Sequence, residues 1–467
     1  LFDFLPRCVK HVFYFKNRKP EEVLSVIHLA EDQQFIRREL ERLDLVSFVA
    51  DKAVLPRESG ISSRPMKGSV PFSSPQSLRT ELDLPHHGRL TGMGLRRGIT
   101  LIVGGGYHGK STLLKALEAG VYNHVAGDGR EYVITDSTAM KLRAEDGRSI
   151  QNTDISLFIN DLPNKKNTKC FSTEDASGST SQAAAVIEGI EAGSRAFLID
   201  EDTSATNFMV RDDLMQKIIS RSKEPITPFI ERARDLYENA GISTIMVAGS
   251  SGAYFYIADT IIQMDCYEPL DITDKTKAFC ASYGAEPITR APGFALPARG
   301  RKLQTGTSTS GLSNSGLSAS GRSGQSQNAQ PEEHGKGGYR QGGSYGRGRG
   351  GRDGARGGYG SQGGREERIK VKVYGKDSLQ VGKSPVDLRF VEQLIDPEQT
   401  NALAQMLRYC VEHQLLERYT VADTVTLLEK EIKKGGITAV SDTSYAACGL
   451  CMPRTQEIFA CINRYRG

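Results

Sequence analysis

Residues 99–117 read ITLIVGGGYHGKSTLLKAL. An apolar, β-branched run is followed by a glycine-rich turn and then by leucines at helical spacing, so strand, turn and helix are predicted in that order. Inside it stands G-x-x-x-x-G-K-S, with Gly104, Gly109, Lys110 and Ser111 in the required places. In such a loop the backbone N–H groups of Gly104, Gly105, Gly106, Tyr107, His108, Gly109 and the first helical residues through Thr112 wrap phosphates, aided by the helix dipole. Lys110 is predicted to reach the β- and γ-phosphates and Ser111 to hold Mg2+. Nucleotide binding follows from this stretch alone.

Further apolar runs surround it: YVIT at 132–135, AFLI at 196–199, STIMVA at 243–248 and IIQM at 261–264. They alternate with helical stretches predicted after Gly109, at 182–193 and at 226–240, the pattern of an α/β core with a mainly parallel sheet. AFLIDED ends in Asp200, Glu201 and Asp202. A carboxylate at a strand end beside a phosphate loop suits a metal, so Asp200 is assigned to Mg2+ and Glu201 to polarising the attacking water. Lys110 and Asp200 are 90 residues apart, room for an inserted helical subdomain. Within that gap FSTEDASGSTSQAAAVIEGIEAG, residues 171–193, is a Ser/Gly turn opening a helix and thus a second anion site of the helix-terminus type.

The 467 residues suggest two or three domains, but the composition is uneven. Residues 300–365 hold 21 of the 49 glycines, ten Lys or Arg and three Asp or Glu, so they carry +7 while the rest carries −3. Four segments are predicted: a helical and loop region at 1–92, the nucleotide core at 93–298, a disordered Ser/Gly- then Arg/Gly-rich segment at 299–367, and a small, mostly helical piece at 368–467. No run approaches the ~18 apolar residues of a membrane helix, so no membrane association is expected. Eight scattered cysteines indicate a reducing compartment. Residues 1–19 hold five Lys or Arg against one Asp, compatible with organelle import, and Leu1 in place of Met suggests that the chain starts inside a longer polypeptide.

These elements together resemble ATP-binding-cassette ATPases. Ala176, Ser177, Gly178, Ser179 and Thr180 stand where that class carries Leu-Ser-Gly-Gly-Gln, 23 residues before Asp200 counting from Ser177. Ser204, Ala205, Thr206 and Asn207 resemble the loop through which the two halves of such dimers communicate. The longer pattern is similar to the family of predicted ATPases of the ABC class: FVADKAVLPR, VPF, GGGYHGKSTLL, RAEDGRSI, NDLP, ASGSTSQAA, LIDEDTSATNFMVRD, EPITPFI and VEQLIDPEQT. It covers roughly 20–298 and 366–464. The resemblance implies a homodimer that sandwiches two ATP molecules, with Ser177, Gly178 and Ser179 acting across the interface and Ser204 near it. ATP would close that dimer and hydrolysis reopen it.

Two departures from the class stand out. Its histidine after the last core strand is absent, and STIMVA leads instead into Gly249, Ser250, Ser251 and Gly252. Ser250 offers a hydrogen bond but no charge, so turnover is expected to be slow or to rest on Glu201. For the glutamine that links metal to the inserted subdomain, Gln151 is a candidate, with Asp154 and Ser156 equal alternatives.

Residues 335–365 interleave Arg340, Arg347, Arg349, Arg352 and Arg356 with glycine and with Tyr345 and Tyr359. Arginine contacts phosphate and stacks on bases, tyrosine offers a ring face, and glycine lets the chain follow a single strand, so single-stranded RNA is the expected ligand. A plain linker or self-association segment is the competing reading. Lys165, Lys166 and Lys169 form a second basic cluster, either lining a groove or solvated. This insertion is similar to that of the family's kinetoplastid branch, associated with mitochondrial RNA-binding and RNA-editing machinery. It implies a mitochondrial location and RNA-processing partner proteins. Cys448 and Cys451 have metal-ligand spacing, but Cys461 and His413 do not complete a zinc set. Alternatives of other classes are a non-catalytic ATP-binding RNA scaffold and a P-loop small-molecule kinase.

Overall fold

The computed structural model describes residues 1–211, 218, 223–283, 288, 290–297, 300–303, 369–441 and 449–467. Two helices, Phe4–Phe13 (α1) and Pro20–Arg42 (α2), precede the strands Leu45–Ala50 (β1), Arg79–Leu84 (β2) and Gly88–Arg96 (β3). Pro20 suits the first turn of α2, where an N–H has no partner in any case, and Glu21 and Glu22 complement the positive end of its dipole. Ile36 and Leu40 of this helix share a core with Phe48 and Leu82.

The central part runs Ile99–Val103 (β4), Lys110–Ala119 (α3), Val133–Thr135 (β5), Met140–Leu142 (β6), Arg148–Thr153 (β7), Phe171–Ala176 (β8), Gly178–Glu191 (α4), Ala196–Asp200 (β9) and Thr206–Met209 (α5). It continues with Ala233–Ala240 (α6), Ser243–Val247 (β10), Thr260–Asp265 (β11), Glu268–Asp271 (β12) and Thr273–Tyr283 (α7). The main sheet has the order β12-β11-β4-β10-β9-β6 and is parallel except for the hairpin strand β12. This is the mixed α/β, mostly parallel architecture that the alternating runs predict.

Three expectations change in detail. YVIT does not join the parallel sheet: β5 pairs antiparallel with β1 in a separate sheet of order β2-β3-β1-β5, and the short MKL run forms β6 beside β9 instead. A turn at Asp136, whose carboxylate accepts from the Thr138 N–H and hydroxyl, redirects the chain between the two sheets. The helix expected over 226–240 is shortened to α6. Ile226 bridges Ile159, and Pro228 precedes a single 3-10 turn at Phe229–Glu231, so α-helix begins only at Ala233. The interval between Lys110 and Asp200 holds the antiparallel pair β7-β8 joined by residues 154–170, which carry no helix; its helices are α3 and α4.

The C-terminal piece comprises Val371–Tyr374 (β13), Ser378–Val381 (β14) and Ser384–Asp387 (β15) in one antiparallel sheet. Its helices are Pro397–Glu412 (α8), Leu415–Arg418 (α9), Val421–Gly435 (α10) and Thr455–Arg464 (α11). Asp396 caps α8 through a capping box closed by Gln399, with Pro397 at the first turn. This piece belongs to the same compact unit as Leu1–Gly306 and covers the open edge of the main sheet. The β6 amide of Lys141 donates to Gln393 Oε1 at 2.9 Å, while Gln393 Nε2 donates to the Glu118 and Ala139 carbonyls. Arg454 Nη1 donates to the Ser137 and Ala139 carbonyls at 2.8 and 2.9 Å. An edge strand left bare would expose unpaired backbone, and here side chains from the far end of the chain satisfy it. Among the described residues no helix is long and apolar enough to cross a membrane.

Candidate nucleotide site

β4 ends in Val103 and the chain turns through Gly104 and Gly109, at φ 138° and 98°, before α3 begins at Lys110. The conformation at Gly104 admits no side chain, since a Cβ there would lie 2.4 Å from the Met264 carbonyl oxygen. Lys110 Nζ donates to the carbonyls of Gly104 and Gly105, both at 2.7 Å, which holds the ammonium across the mouth of the loop. Leu113, Leu114 and Leu117 bury the other face of α3 against the sheet. A cavity of about 660 Å3 opens beside the loop, its walls including Met66, Phe72, Tyr107, Tyr267, Ser111 and Thr112. Tyr107 is 99% exposed and Tyr267 55%, so two ring faces are available at its rim. The sequence reading placed no adenine-facing aromatic; Tyr267 and Phe72 come from segments whose approach to the loop only pairing of β11 and β1 with their neighbours creates.

Strand register places the acidic residues. Val247 of β10 lies opposite Ile102 of β4 on one side and Asp200 of β9 on the other. The phosphate loop and Asp200 therefore leave the same end of the sheet two strand spacings apart, roughly 10 Å. Asp200 is 8% exposed and its carboxylate accepts from the Asp202 amide. With the Ser111 hydroxyl it offers the hard oxygen donors that Mg2+ prefers, so the residues fit that ion.

Glu201 is held from one side by the turn after β10. Its carboxylate accepts from the Gly249 N–H at 2.7 Å, from the Ser250 N–H at 3.1 Å and from the Ser250 hydroxyl. Burial pushes the Glu201 carboxyl up, but the donors from Ser250, Gly249 and Ser251 outweigh it and hold the group below its ordinary value. Ser250, at the position of the missing histidine, is thus a partner of the proposed base.

Ser177 stands at the N-cap of α4 with its hydroxyl 3.0 Å from that of Thr180, and Gly178 and Ser179 are buried in the first turn. Three connections missed by sequence reading tie this turn to the acidic strand end. Gln182, fully buried, donates to the Ser204 hydroxyl at 3.0 Å and accepts from the Ala205 N–H at 2.9 Å. Ser204 in turn donates to the Asp200 carbonyl at 2.8 Å. The segment after β6 joins the same unit: Ala144 N–H donates to the Thr203 carbonyl and Glu145 N–H to the Ser181 hydroxyl. Because Leu142 pairs with Ile199, residues 143–146 leave the sheet directly beside Asp200. The signal available in sequence was the short MKL run before RAEDGR, too brief to identify as a strand.

The remaining predicted residues lie elsewhere or apart. Gln151 is on β7 and its amide donates to the Tyr465 carbonyl at 3.2 Å, toward the C-terminus. Asp154 is engaged within its own turn by the Ser156 N–H and hydroxyl. Lys165, Lys166 and Lys169 are all exposed on the loop between β7 and β8. Arg340, Tyr345, Arg347, Arg349, Arg352, Arg356, Tyr359 and Cys448 lie outside the described residues.

A phosphate loop, an acidic strand end and a Ser/Gly helix start, gathered by a mostly parallel sheet, define an ABC-type P-loop ATPase fold. The chain belongs to the family of ABC ATPase P-loop domains, whose pattern matches residues 19–295. Residues 370–467 match a second pattern, the MRB1590 C-terminal domain. The chain is 30% identical over 229 residues to the uncharacterized protein MJ1628 of Methanocaldococcus jannaschii. That region is 47% of this chain and 50% of that protein, so the chain spans about half the length of the curated relative it matches. Among solved structures it is similar to cbiO1 of Clostridium perfringens, part of the ABC transporter complex cbiONQ, at 12% identity and a TM-score of 0.31. That similarity covers 51% of this chain and 92% of cbiO1. A bacterial Atm1-family ABC exporter with ATP bound is similar at 13% identity and a TM-score of 0.29, covering 52% and 42% of the two chains.

Proposed function

We propose that this protein is an ATP-driven switch that hydrolyses ATP slowly at a homodimer interface and binds single-stranded RNA through residues 335–365. The observation that carries the nucleotide half is the common sheet end shared by Lys110, Ser111, Asp200 and Glu201. Lys110 neutralises β- and γ-phosphate charge, and the loop amides position the phosphates. Mg2+, when bound by Ser111 and Asp200, supplies charge for the leaving phosphate oxygens. Glu201 orients the attacking water and accepts its proton. Ser177, Gly178 and Ser179 serve the partner's γ-phosphate, and the rim aromatics Tyr107 and Tyr267 flank the base. Through Gln182 and Ser204, closure on one nucleotide is felt at Asp200.

The low basicity of Glu201 favours slow turnover, because a carboxylate already held by the donors of the turn after β10 takes a proton reluctantly. It also favours the second reading, an ATP-binding RNA scaffold without catalysis. Steady-state phosphate release separates the two: turnover above that of Glu201→Gln, with Lys110→Ala abolishing ATP binding, supports the ATPase. Turnover equal to that of Glu201→Gln leaves the scaffold.

The RNA half rests on the Arg/Gly/Tyr composition of 335–365 and draws support from the MRB1590 C-terminal domain match, which suggests an RNA-editing context and with it a mitochondrial setting and RNA-processing partners. Lys165, Lys166 and Lys169, exposed on the loop between β7 and β8, are a second candidate contact for RNA phosphates. Single-stranded RNA affinity across a salt series, with and without residues 335–365, tests it. Each phosphate contact contributes a log–log slope of about −0.7, so deletion should flatten the dependence. An unchanged slope and affinity would remove the segment as binder. Light scattering with and without ATP tests the dimer.

A further inference from the structure

His108, Asp265 and Cys266 converge at one corner of the phosphate loop, one ligand atom from each lying within 4.8 Å of the others. Two segments distant in sequence build this corner. The hairpin between β11 and β12 turns at Cys266 and Tyr267, with φ 48° and 75°, in the left-handed region that such side chains avoid. The hairpin is nevertheless fastened to the loop. Cys266 N–H donates to His108 Nδ1 at 2.9 Å, and Tyr267 N–H donates to the His108 carbonyl at 3.2 Å. A strained turn of this kind is retained where it presents a side chain, and the side chain presented here is a thiol beside an imidazole.

His108 Nδ1 accepts from the Cys266 amide and lies 3.2 Å from Asp265 Oδ1, so a cation bound there takes over the lone pair that the amide now uses. The Cys266 thiol completes the set, within ligand range of both.

We propose that His108, Asp265 and Cys266 bind a zinc-class divalent cation that pins the phosphate loop to the hairpin between β11 and β12. Imidazole, carboxylate and thiolate are the borderline-soft donors zinc takes, with a fourth position open to water. Mg2+, which demands oxygen ligands, would not compete, so this site is distinct from Ser111 and Asp200. Its regulatory meaning rests on the nucleotide reading, because fixing the corner formed by Tyr107, His108 and Gly109 alters how readily the loop amides adapt to phosphate. The metal site itself does not depend on that reading.

Co2+ titrated into the nucleotide-free full chain provides the test. One equivalent should produce a thiolate-to-cobalt charge-transfer band in the near ultraviolet, bleached by Zn2+ and lost in Cys266→Ser and in Asp265→Asn. Zn2+ should shift the Kd of a fluorescent ATP analogue in the natural chain but not in Cys266→Ser, whose zinc-free affinity is unchanged. A band that persists in Cys266→Ser, or its absence from a chain shown folded by circular dichroism, overturns the proposal. If the band appears with the predicted dependence while the analogue does not bind, the metal site stands and the nucleotide reading falls.

Discussion

Replacing Arg464 by methionine should destabilise the protein by about 3 kcal/mol, the low end for breaking a buried ion pair from one side. Arg464 Nη2 lies 2.5 Å from Glu145 Oε1, and the two side chains are 6% and 7% exposed. Losing the guanidinium leaves a carboxylate in a nearly dry site. The low end applies because Arg148 Nη1, 4.0 Å from the same oxygen and without a hydrogen bond of its own, can turn toward it. In the natural chain burial pushes the Glu145 carboxyl up, but Arg464 and Arg148 outweigh it and hold the group below 4.5. A lowered folded value means that its contribution is present above about 4.5 and is lost as pH falls through that lower value. With Arg464 gone, burial dominates and the folded value rises, so the variant regains stability as the carboxylate is protonated. The gap between the two proteins should therefore narrow as pH is lowered from 7 toward 5. Far-ultraviolet circular dichroism during urea unfolding suits the measurement, because the chain has no tryptophan. The double variant Glu145→Leu/Arg464→Met should recover at least half of the loss. A cost below about 1 kcal/mol, or a double variant as unstable as the single one, would refute the assignment of this pair as a desolvated tie between the turn beside Asp200 and α11.

Gly104→Ala should weaken binding of a fluorescent ATP analogue by tenfold or more in a folded chain, since a Cβ would sit 2.4 Å from the Met264 carbonyl at φ 138°. Gln182→Leu removes the link between α4 and the loop after Asp200, at roughly 1–3 kcal/mol of stability by thermal unfolding. It should lower phosphate release more than ATP affinity; the reverse order would deny Gln182 its coupling role. Ser250→Ala removes one donor from Glu201, so the carboxyl should rise toward its ordinary value and the acid limb of the rate–pH profile should move to higher pH. An unmoved limb would show that Ser250 does not tune this group.

The phosphate loop was legible because its function is local: a strand, eight residues and a helix start fix the positions of amides, lysine and serine whatever surrounds them. Asp200 and Glu201 were legible for the same reason, as acids closing an apolar run, and so was Ser177 at the head of α4. What the sequence by itself determined is therefore the chemistry of each short segment, the mostly parallel α/β core and the segregation of charge into residues 300–365. Only the tertiary structure decided which segments meet. YVIT and MKL are both short apolar runs, and nothing local says that the first pairs with β1 while the second borders β9 and delivers Arg143, Ala144 and Glu145 beside Asp200. Gln182 reads as one polar residue in an alanine-rich helix until burial forces it to find Ser204 and Ala205. The clamp of Ser250 on Glu201, the tie of Arg464 to Glu145 and the meeting of Cys266 with His108 join residues 49, 319 and 158 positions apart. Backbone periodicity is set within a few residues and is written in the order of side chains, whereas partners across a sheet or between layers are selected by which buried surfaces and hydrogen-bonding groups fit together once the whole chain has closed.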